Sequence, residues 1–279
     1  MKKTKAITKP GLYRGLSYSE YDAIEAVRST YLKKLLHCPA MALEPNEETA
    51  ALVFGNAAHC FILEGEEEYN KRYAILPKFD GDKRTKEYKA IKESTLQLAS
   101  IKEQIVLDHE DDEIIRLMHK NIMAHPTAKL FFQKKHDPEL VIVWKDKATG
   151  LLMKCRLDVA PYADMKVIVD LKTTVDTSEW GFRNQIEKYH YDMSAAFYLE
   201  GANAVLKEKI DLFVFLAPEK HKPCRVHVHE LSPQYIEDGS VKMHKALAKE
   251  VECRKSGIFE PWTIAGAIVQ EPPKRKELL

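Results

Sequence analysis

Apolar positions change their period along this chain, and each change marks an element. From residue 17 to about 36, Tyr21, Ile24, Tyr31, Leu32, Leu35 and Leu36 form a mostly apolar stripe at helical spacing, which Cys38 and Pro39 end. A second apolar helix is expected over 50–63. It contains Gly55, Asn56, Ala57, Ala58 and His59, and its small residues allow close packing on a neighbour. Between about 80 and 125 the chain turns strongly charged, with helical spacing in Tyr88, Ile91, Leu96, Leu98, Ile101 and Ile105. Solvated helices with one buried stripe are the preferred reading. Phosphate contacts from Lys83, Arg84, Lys86 and Lys89 are the less favoured one.

The period then shortens to that of strands. Residues 140–144 read as a strand, 147–150 as a turn, and 153–158 and 167–172 as two further strands. Pro161 and Asp164 between the last two allow a hairpin turn. Residues 178–204 read as one or two helices, with Gly181 and Gly201 as candidate breaks. The near-continuous apolar run 211–216 suits a strand buried on both faces, and the alternation over 225–231 suits an edge strand or one wet face. Ser232 and Pro233 provide an N-cap and first turn for a final helix ending before Gly257. The order predicts an α/β fold: a mixed-sheet core over about 136–258 after a helical extension over about 17–135, as one domain. A polar leader (1–16) and a loose tail (259–279) are expected to flank it.

Composition narrows the picture little. The 279 residues include 43 Lys and Arg against 42 Asp and Glu, a net charge of +1, so any contact with DNA needs a local basic surface. Five scattered cysteines with no C-x-x-C pair argue against a zinc ribbon or a disulfide framework, and Cys155 reads as a small core residue. No apolar run approaches the roughly 18 residues of a membrane span, and no apolar segment follows the basic start. A cytoplasmic protein without membrane contact is the expectation.

The chemistry concentrates at Asp158, Asp170 and Lys172. Alternation sends Asp170 and Lys172 to one face of their strand and Val169 and Leu171 to the other. If the hairpin pairs Asp158 near Asp170, two carboxylates and one ammonium converge. Carboxylates so placed repel unless a cation joins them, and hard oxygen ligands suit Mg²⁺ or Mn²⁺. A lysine beside that metal orients or activates a water, which equips the site for metal-assisted hydrolysis of a phosphodiester. The competing reading is a surface ion pair of little consequence. Against it, the triplet ends a strongly apolar strand, and a second acid ends the strand before it.

Taken in order, Gly55 and His59, Lys154 to Asp158, Asp170 to Thr174, and Tyr191 with Tyr198 resemble the PD-(D/E)XK nuclease superfamily, most closely the catalytic domain of RecE-type exonucleases (exonuclease VIII). Tyr31 to Pro39 and Ala195 to Gly201 extend the similarity, which spans roughly 17–258 and is weakest over 80–125. The resemblance implies a restriction-endonuclease-like core, with a central mixed sheet flanked by helices. It implies His59, Asp158, Asp170 and the Leu171 carbonyl as metal ligands and Lys172 as the catalytic lysine. It further implies Mg²⁺, with Mn²⁺ as a substitute, and 5′→3′ digestion of duplex DNA from an end. The product would be a 3′ single strand passed to a strand-annealing partner for recombination or repair. A ring-shaped homo-oligomer and a phage or prophage origin are also implied. One departure stands out: the family usually carries glutamine where this chain has Ser194. Tyr191, Ser194 and Tyr198 share a helix face, and the shorter serine reaches the site only through water.

Other residues keep two readings. His59 alone would more often be a core histidine than a ligand. Arg156 either contacts a phosphate or forms an ion pair that holds Asp158. Glu139 either reaches the metal through water or is a solvated strand-end acid. His227 and His229 read as exposed strand residues, and Trp180 and Trp262 as packing residues or an aromatic wedge at a DNA end. Two functional alternatives stand beside the exonuclease. One is another PD-(D/E)XK nuclease, an endonuclease or a helicase-associated enzyme whose motor is a separate chain. The other is a catalytically weakened DNA-binding or scaffold protein.

Overall fold

The structure is a computed structural model that describes residues 7–45, 47–133, 138–160, 165–206 and 209–261. The chain opens with strand β1 (Gly11–Tyr13), helix α1 (Tyr18–Asp22) and helix α2 (Ser29–His37). Helices α3 (Ala50–His59) and α4 (Glu66–Arg72) follow, then strand β2 (Tyr73–Ile75), helix α5 (Lys86–Ile101), strand β3 (Ile105–Leu107) and helix α6 (His109–Ala124). The core comprises β4 (Pro138–Lys145), β5 (Leu152–Val159), β6 (Val167–Leu171), α7 (Glu179–Tyr189), α8 (Tyr191–Val205), β7 (Leu212–Pro218), β8 (Val226–Glu230) and α9 (Pro233–Ser256).

Among the described residues the main sheet has six strands in the order β1-β4-β5-β6-β7-β8, and β2 and β3 form a small separate parallel pair. Only β6 and β7 run parallel within the main sheet, joined by the crossover through α7 and α8. Apolar side chains cover both faces. One core holds Leu32, Phe182, Phe197, Phe213 and Phe215, and the other holds Phe61, Tyr69, Ile115, Val169 and Leu216. The buried-strand reading of 211–216 and the edge reading of 225–231 both match, since β7 is almost wholly buried and β8 is outermost. The final helix begins on the Ser232 cap, whose hydroxyl accepts from the Tyr235 N–H, and ends at Gly257 in the left-handed region.

Several expectations need correction. The single helix over 17–36 is two, because Ser17 caps α1 in a capping box while Arg28 takes extended backbone before α2. Gly11–Tyr13, inside the stretch read as a polar leader, pairs with β4 at the sheet edge. Gly181 and Gly201 lie inside α7 and α8; a Cβ on Gly201 would stand 2.6 Å from the Trp144 ring, so it marks close packing. The break falls instead at His190, whose φ is 49°. In the charged segment, Leu96, Leu98 and Ile101 are exposed, and Ile105 lies in a strand, so the proposed buried stripe is not continuous. Lys83 and Arg84 pair with Glu110 and Asp82. The Pro161 and Asp164 turn, Trp262 and most of the expected tail lie outside the described residues.

Candidate active site

Three acids fall on one row across neighbouring strands. The pairings Pro138↔Val159 and Leu140↔Leu157 bracket Glu139 and Asp158, and Val159↔Val169 continues the row toward Asp170. Like charges placed opposite each other destabilise a sheet unless something joins them. The strands part here, and the Asp158 carboxylate accepts the Leu171 N–H at 2.7 Å. That bond fixes the peptide at the end of β6, next to the Leu171 carbonyl. Lys172, the next residue, is tied to β7 by its N–H to the Leu216 carbonyl (2.9 Å), and its ammonium pairs with Asp170.

His59 arrives from the opposite direction as the last residue of α3, which Thr49 caps. A π-helical turn over Cys60–Glu64 follows at once, a geometry common where a helix serves a site. His59 Nδ1 lies 3.6 Å from Asp158 Oδ2. Glu139 joins them from β4, where its φ of 58° places it in a region that costs a non-glycine residue about 1–3 kcal/mol. One ligand atom each from His59, Glu139 and Asp158 lies within 4.8 Å of the others. Asp170 stands beside this cluster and turns toward Lys172.

Burial and mutual charge push these groups apart in acidity. Burial pushes the Glu139 carboxyl up to about 7, with Asp158 adding to the effect and Arg156 opposing it. Burial acts in the same direction on Asp158, but His59, Lys172 and the Leu171 N–H outweigh it and hold that carboxyl at about 2. Asp170 is raised by burial and by Asp158 against the pull of Lys172. Burial would lower His59 and Lys172, but Asp158 raises the imidazole and Asp170 raises the ammonium above their ordinary values. Adjacent carboxyls with opposite shifts are a mark of functional sites.

The donor set fits a hard divalent cation. Glu139 Oε2 is met by the Arg156 guanidinium and Asp170 Oδ2 by the Lys172 ammonium. Glu139, Asp158 and Asp170 still bring three carboxyls against two fixed cations, with Asp158 adding to the rise that burial imposes on both neighbours, and a shared hard cation would relieve that repulsion. His59, Glu139 and Asp158 would hold it, with Asp170 adjoining.

The other predicted residues separate into two groups. Tyr191 belongs to the site's surroundings: the Lys172 ammonium lies 5.8 Å from its ring centroid. Tyr198 does too, since burial raises its hydroxyl with Asp170 and Asp158 adding to the effect. Ser194 is buried, and its hydroxyl lies 3.2 Å from that of Ser29, which makes it a packing contact between α8 and α2. Arg156 pairs with Glu139, not with Asp158, and sits over the rings of Tyr18 and Tyr21. Lys154 is buried and donates to the carbonyls of Tyr21, Asp22 and Ile24, so it anchors the α1–α2 connection. His229 is half-buried, stacked on Phe182 and bonded to the Thr177 carbonyl, while His227 is exposed as expected. Trp180 is exposed, which contradicts its reading as a packing residue.

Sequence reasoning missed Lys33 and undervalued Glu139. Lys33 projects from α2 to 5.3 Å from the Tyr191 ring centroid, beside Lys172. Burial and the Lys172 charge push its ammonium down to about 7. Its only signal was its place within Tyr31 to Pro39, where it reads as the polar side of a helix.

Comparison with known proteins bears on the fold. The family described as "PDDEXK-like domain of unknown function (DUF3799)" matches residues 28–264. Among solved structures, this chain is similar to the crystal structure of "Putative exonuclease" from Eubacterium rectale, at 13% identity and a TM-score of 0.61, covering 92% of this chain and 96% of that one. No curated protein matches. Among the described residues no helix is long and apolar enough to cross a membrane.

Proposed function

Because the chain belongs to the PDDEXK-like family of unknown function, and its core is the mixed sheet flanked by helices of that fold, we propose that it is a metal-dependent nuclease that degrades linear duplex DNA from an end. The observation that carries this reading is the row of Glu139, Asp158 and Asp170 with His59 and Lys172 beside it. A bound Mg²⁺ or Mn²⁺ supplies Lewis-acid stabilisation of the charge that develops on phosphate. The chain's own groups do the rest. Lys172, kept protonated by Asp170 and Asp158, positions the attacking water and balances negative charge. Lys33 adds a second ammonium beside Tyr191, suited to a phosphate oxygen. Asp158 fixes His59 on one side and the Leu171 peptide on the other.

Digestion from an end, with 5′→3′ polarity and a 3′ single-stranded product handed to a strand-annealing partner, follows the resemblance to RecE-type exonucleases. The exonuclease description of the Eubacterium rectale protein supports digestion from an end. A ring-shaped oligomer and a cytoplasmic site of action belong to this proposal. The test is digestion of linear and covalently closed duplexes with Mg²⁺ or with EDTA. Mg²⁺-dependent loss of the linear form alone is expected. Nicking of the closed form would favour an endonuclease, and binding without cleavage of either form would favour a scaffold.

A further inference from the structure

Each acid of the candidate site meets one basic side chain among the described residues: Asp158 meets His59, Asp170 meets Lys172 and Glu139 meets Arg156. In the reading above His59 is a ligand and Lys172 serves the attacking water. Arg156 has no such task, and its surroundings are unlike theirs. It lies on β5 two residues before Asp158, on the face that also carries Lys154. Lys154 donates to the Tyr21, Asp22 and Ile24 carbonyls, which fixes α1 and the chain after it over this face. The rings of Tyr18 and Tyr21 therefore lie by Arg156, with centroids 5.1 and 5.7 Å from its guanidinium carbon. Tyr21 is buried, whereas Tyr18 is 57% exposed. The Arg156 side chain keeps 24% of its surface open and the Glu139 side chain only 10%. An incoming anion can thus reach the guanidinium, which sits where the buried acid meets the surface.

We propose that Arg156 is handed from Glu139 to a phosphate of the bound DNA once the metal is in place, so that metal and DNA bind cooperatively. The proposal rests on the nuclease reading above. Glu139 contributes one of the three ligand atoms that lie within 4.8 Å of one another. With a divalent ion beside it, Glu139 no longer needs the guanidinium for charge balance, and the two cations repel. Arg156 is then left half-buried without an acid of its own, which is unfavourable until an anion replaces it. A phosphate presents paired anionic oxygens as a carboxylate does, and the arginine fork donates to either. The Tyr18 and Tyr21 rings hold the guanidinium at the site during the exchange, because their attraction for a cation does not depend on the anion it pairs with. Without metal, Arg156 stays on Glu139 and adds nothing to DNA binding.

The test reads binding by the full chain, with Ca²⁺ as a hard cation and a short phosphorothioate-linked duplex as the probe, so that cleavage does not intervene. With Ca²⁺, Arg156→Gln should lower the slope of log affinity against log salt by about 0.9, the share of one phosphate contact. In EDTA the same variant should leave the slope unchanged. Without DNA, Arg156→Gln should bind Mn²⁺ about tenfold more tightly, a coupling of ordinary size, because the guanidinium no longer competes for Glu139. That titration is made at about pH 8, where proton competition is small. Arg156→Lys, which keeps the charge and loses the planar fork, should fall between the two proteins. In the unchanged protein the Arg156 Nε–H resonance should move on adding Mg²⁺ and again on adding duplex, a readout that needs no variant to fold. A resonance that moves with neither would mean that Arg156 never leaves Glu139. Weaker Mn²⁺ binding in Arg156→Gln would mean that the arginine holds Glu139 ready for the metal. An equal loss of salt slope with and without Ca²⁺ would mean that it meets DNA unconditionally. Any of these three results overturns the handover, and the nuclease reading stands if the unchanged protein still digests linear duplex with Mg²⁺. A protein that binds neither Mn²⁺ nor DNA overturns both.

Discussion

Glu250 and Asp170 are both buried carboxylates, and almost everything around them differs. Glu250 spends each oxygen on one partner: the Tyr31 hydroxyl donates to Oε2 at 2.6 Å and Arg254 Nε to Oε1 at 2.6 Å. Glu219 is served in the same way by Arg225 and the Thr177 N–H, and Asp112 by Tyr69 and Arg116. These acids join elements and are complete as they stand. Asp170 instead stands against Asp158, and the two carboxylates share one ammonium, that of Lys172. A paired buried charge is an element of structure. Converging charges that stay incompletely partnered cost stability, and they persist where a ligand or a reaction uses them.

The largest expected effect breaks that contrast at its centre. Asp170→Asn should lower Mg²⁺-dependent digestion of linear duplex DNA by about 10²–10³-fold, the order seen when a group stabilising transition-state charge is removed. Its thermal midpoint in EDTA should stay close to that of the unchanged protein, because the relief of burial and of repulsion by Asp158 offsets the lost pairing with Lys172, which keeps Asp158. Turnover near the original level, with the same metal dependence, would end the site assignment. A fall in the midpoint would move Asp170 into the class of Glu250.

Next in size is the pH dependence carried by Glu139. Its carboxyl, ordinarily near 4.5, is raised by burial and Asp158 to about 7 in the folded chain. Between those values the folded chain holds a proton that the unfolded chain has lost. This group's contribution to metal-free stability is therefore present below about 4.5 and lost as pH rises through about 7. A metal needs the ionised carboxylate and the neutral imidazole of His59, so binding should release protons from both, and affinity should rise by more than about tenfold per pH unit below 7. Isothermal titration with Mn²⁺ in buffers of different ionisation enthalpy measures those protons. Glu139→Gln should remove one proton from that release and make the affinity profile shallower between pH 5 and 7, the remaining slope coming from the raised His59 imidazole. An unchanged profile would show that Glu139 serves only Arg156.

Glu250→Ala is the control from the paired class. It leaves the Tyr31 hydroxyl without its acceptor and should cost about 1–3 kcal/mol in urea unfolding. Nuclease turnover per folded molecule should stay unchanged. A loss of turnover without loss of stability would show that the two classes are not separate.

The same contrast explains what the chain discloses before it is folded. The strands, the final helix and the Asp158, Asp170 and Lys172 constellation are legible because period, caps and charge sit within short windows. The β6 apolar run ending in Asp170 is one such window, and the Ser232–Pro233 start of α9 is another. Glu139 was only half legible, because its role depends on register. The pairing of β4 with β5 brings it opposite Asp158, and its backbone angle is invisible in the residue order. Lys33 and Trp180 were misjudged for a related reason. Which side of a helix faces the site or the solvent depends on contacts between α2 and α8, and on the packing of α7, not on local composition.

Ser194 gives the smallest effect and the finest discrimination. The resemblance places it where the family carries glutamine, which made it a candidate for water or phosphate positioning. In the folded chain its hydroxyl is buried against that of Ser29, between α8 and α2, so it belongs with the paired polar groups. Ser194→Ala should cost about 1 kcal/mol or less, one neutral hydrogen bond in a packed interface, and leave the catalytic rate and its metal dependence unchanged. Ser29→Ala should cost a similar amount, and the double variant less than the sum, because both remove the same contact. Glutamine at 194 would have to enter a filled interface, so Ser194→Gln should lose about 1–3 kcal/mol through overpacking. If Ser194→Ala lowers turnover tenfold or more with its midpoint intact, the hydroxyl acts on the reaction through water. The boundary between packing and site would then run through α8 one turn further than these contacts place it.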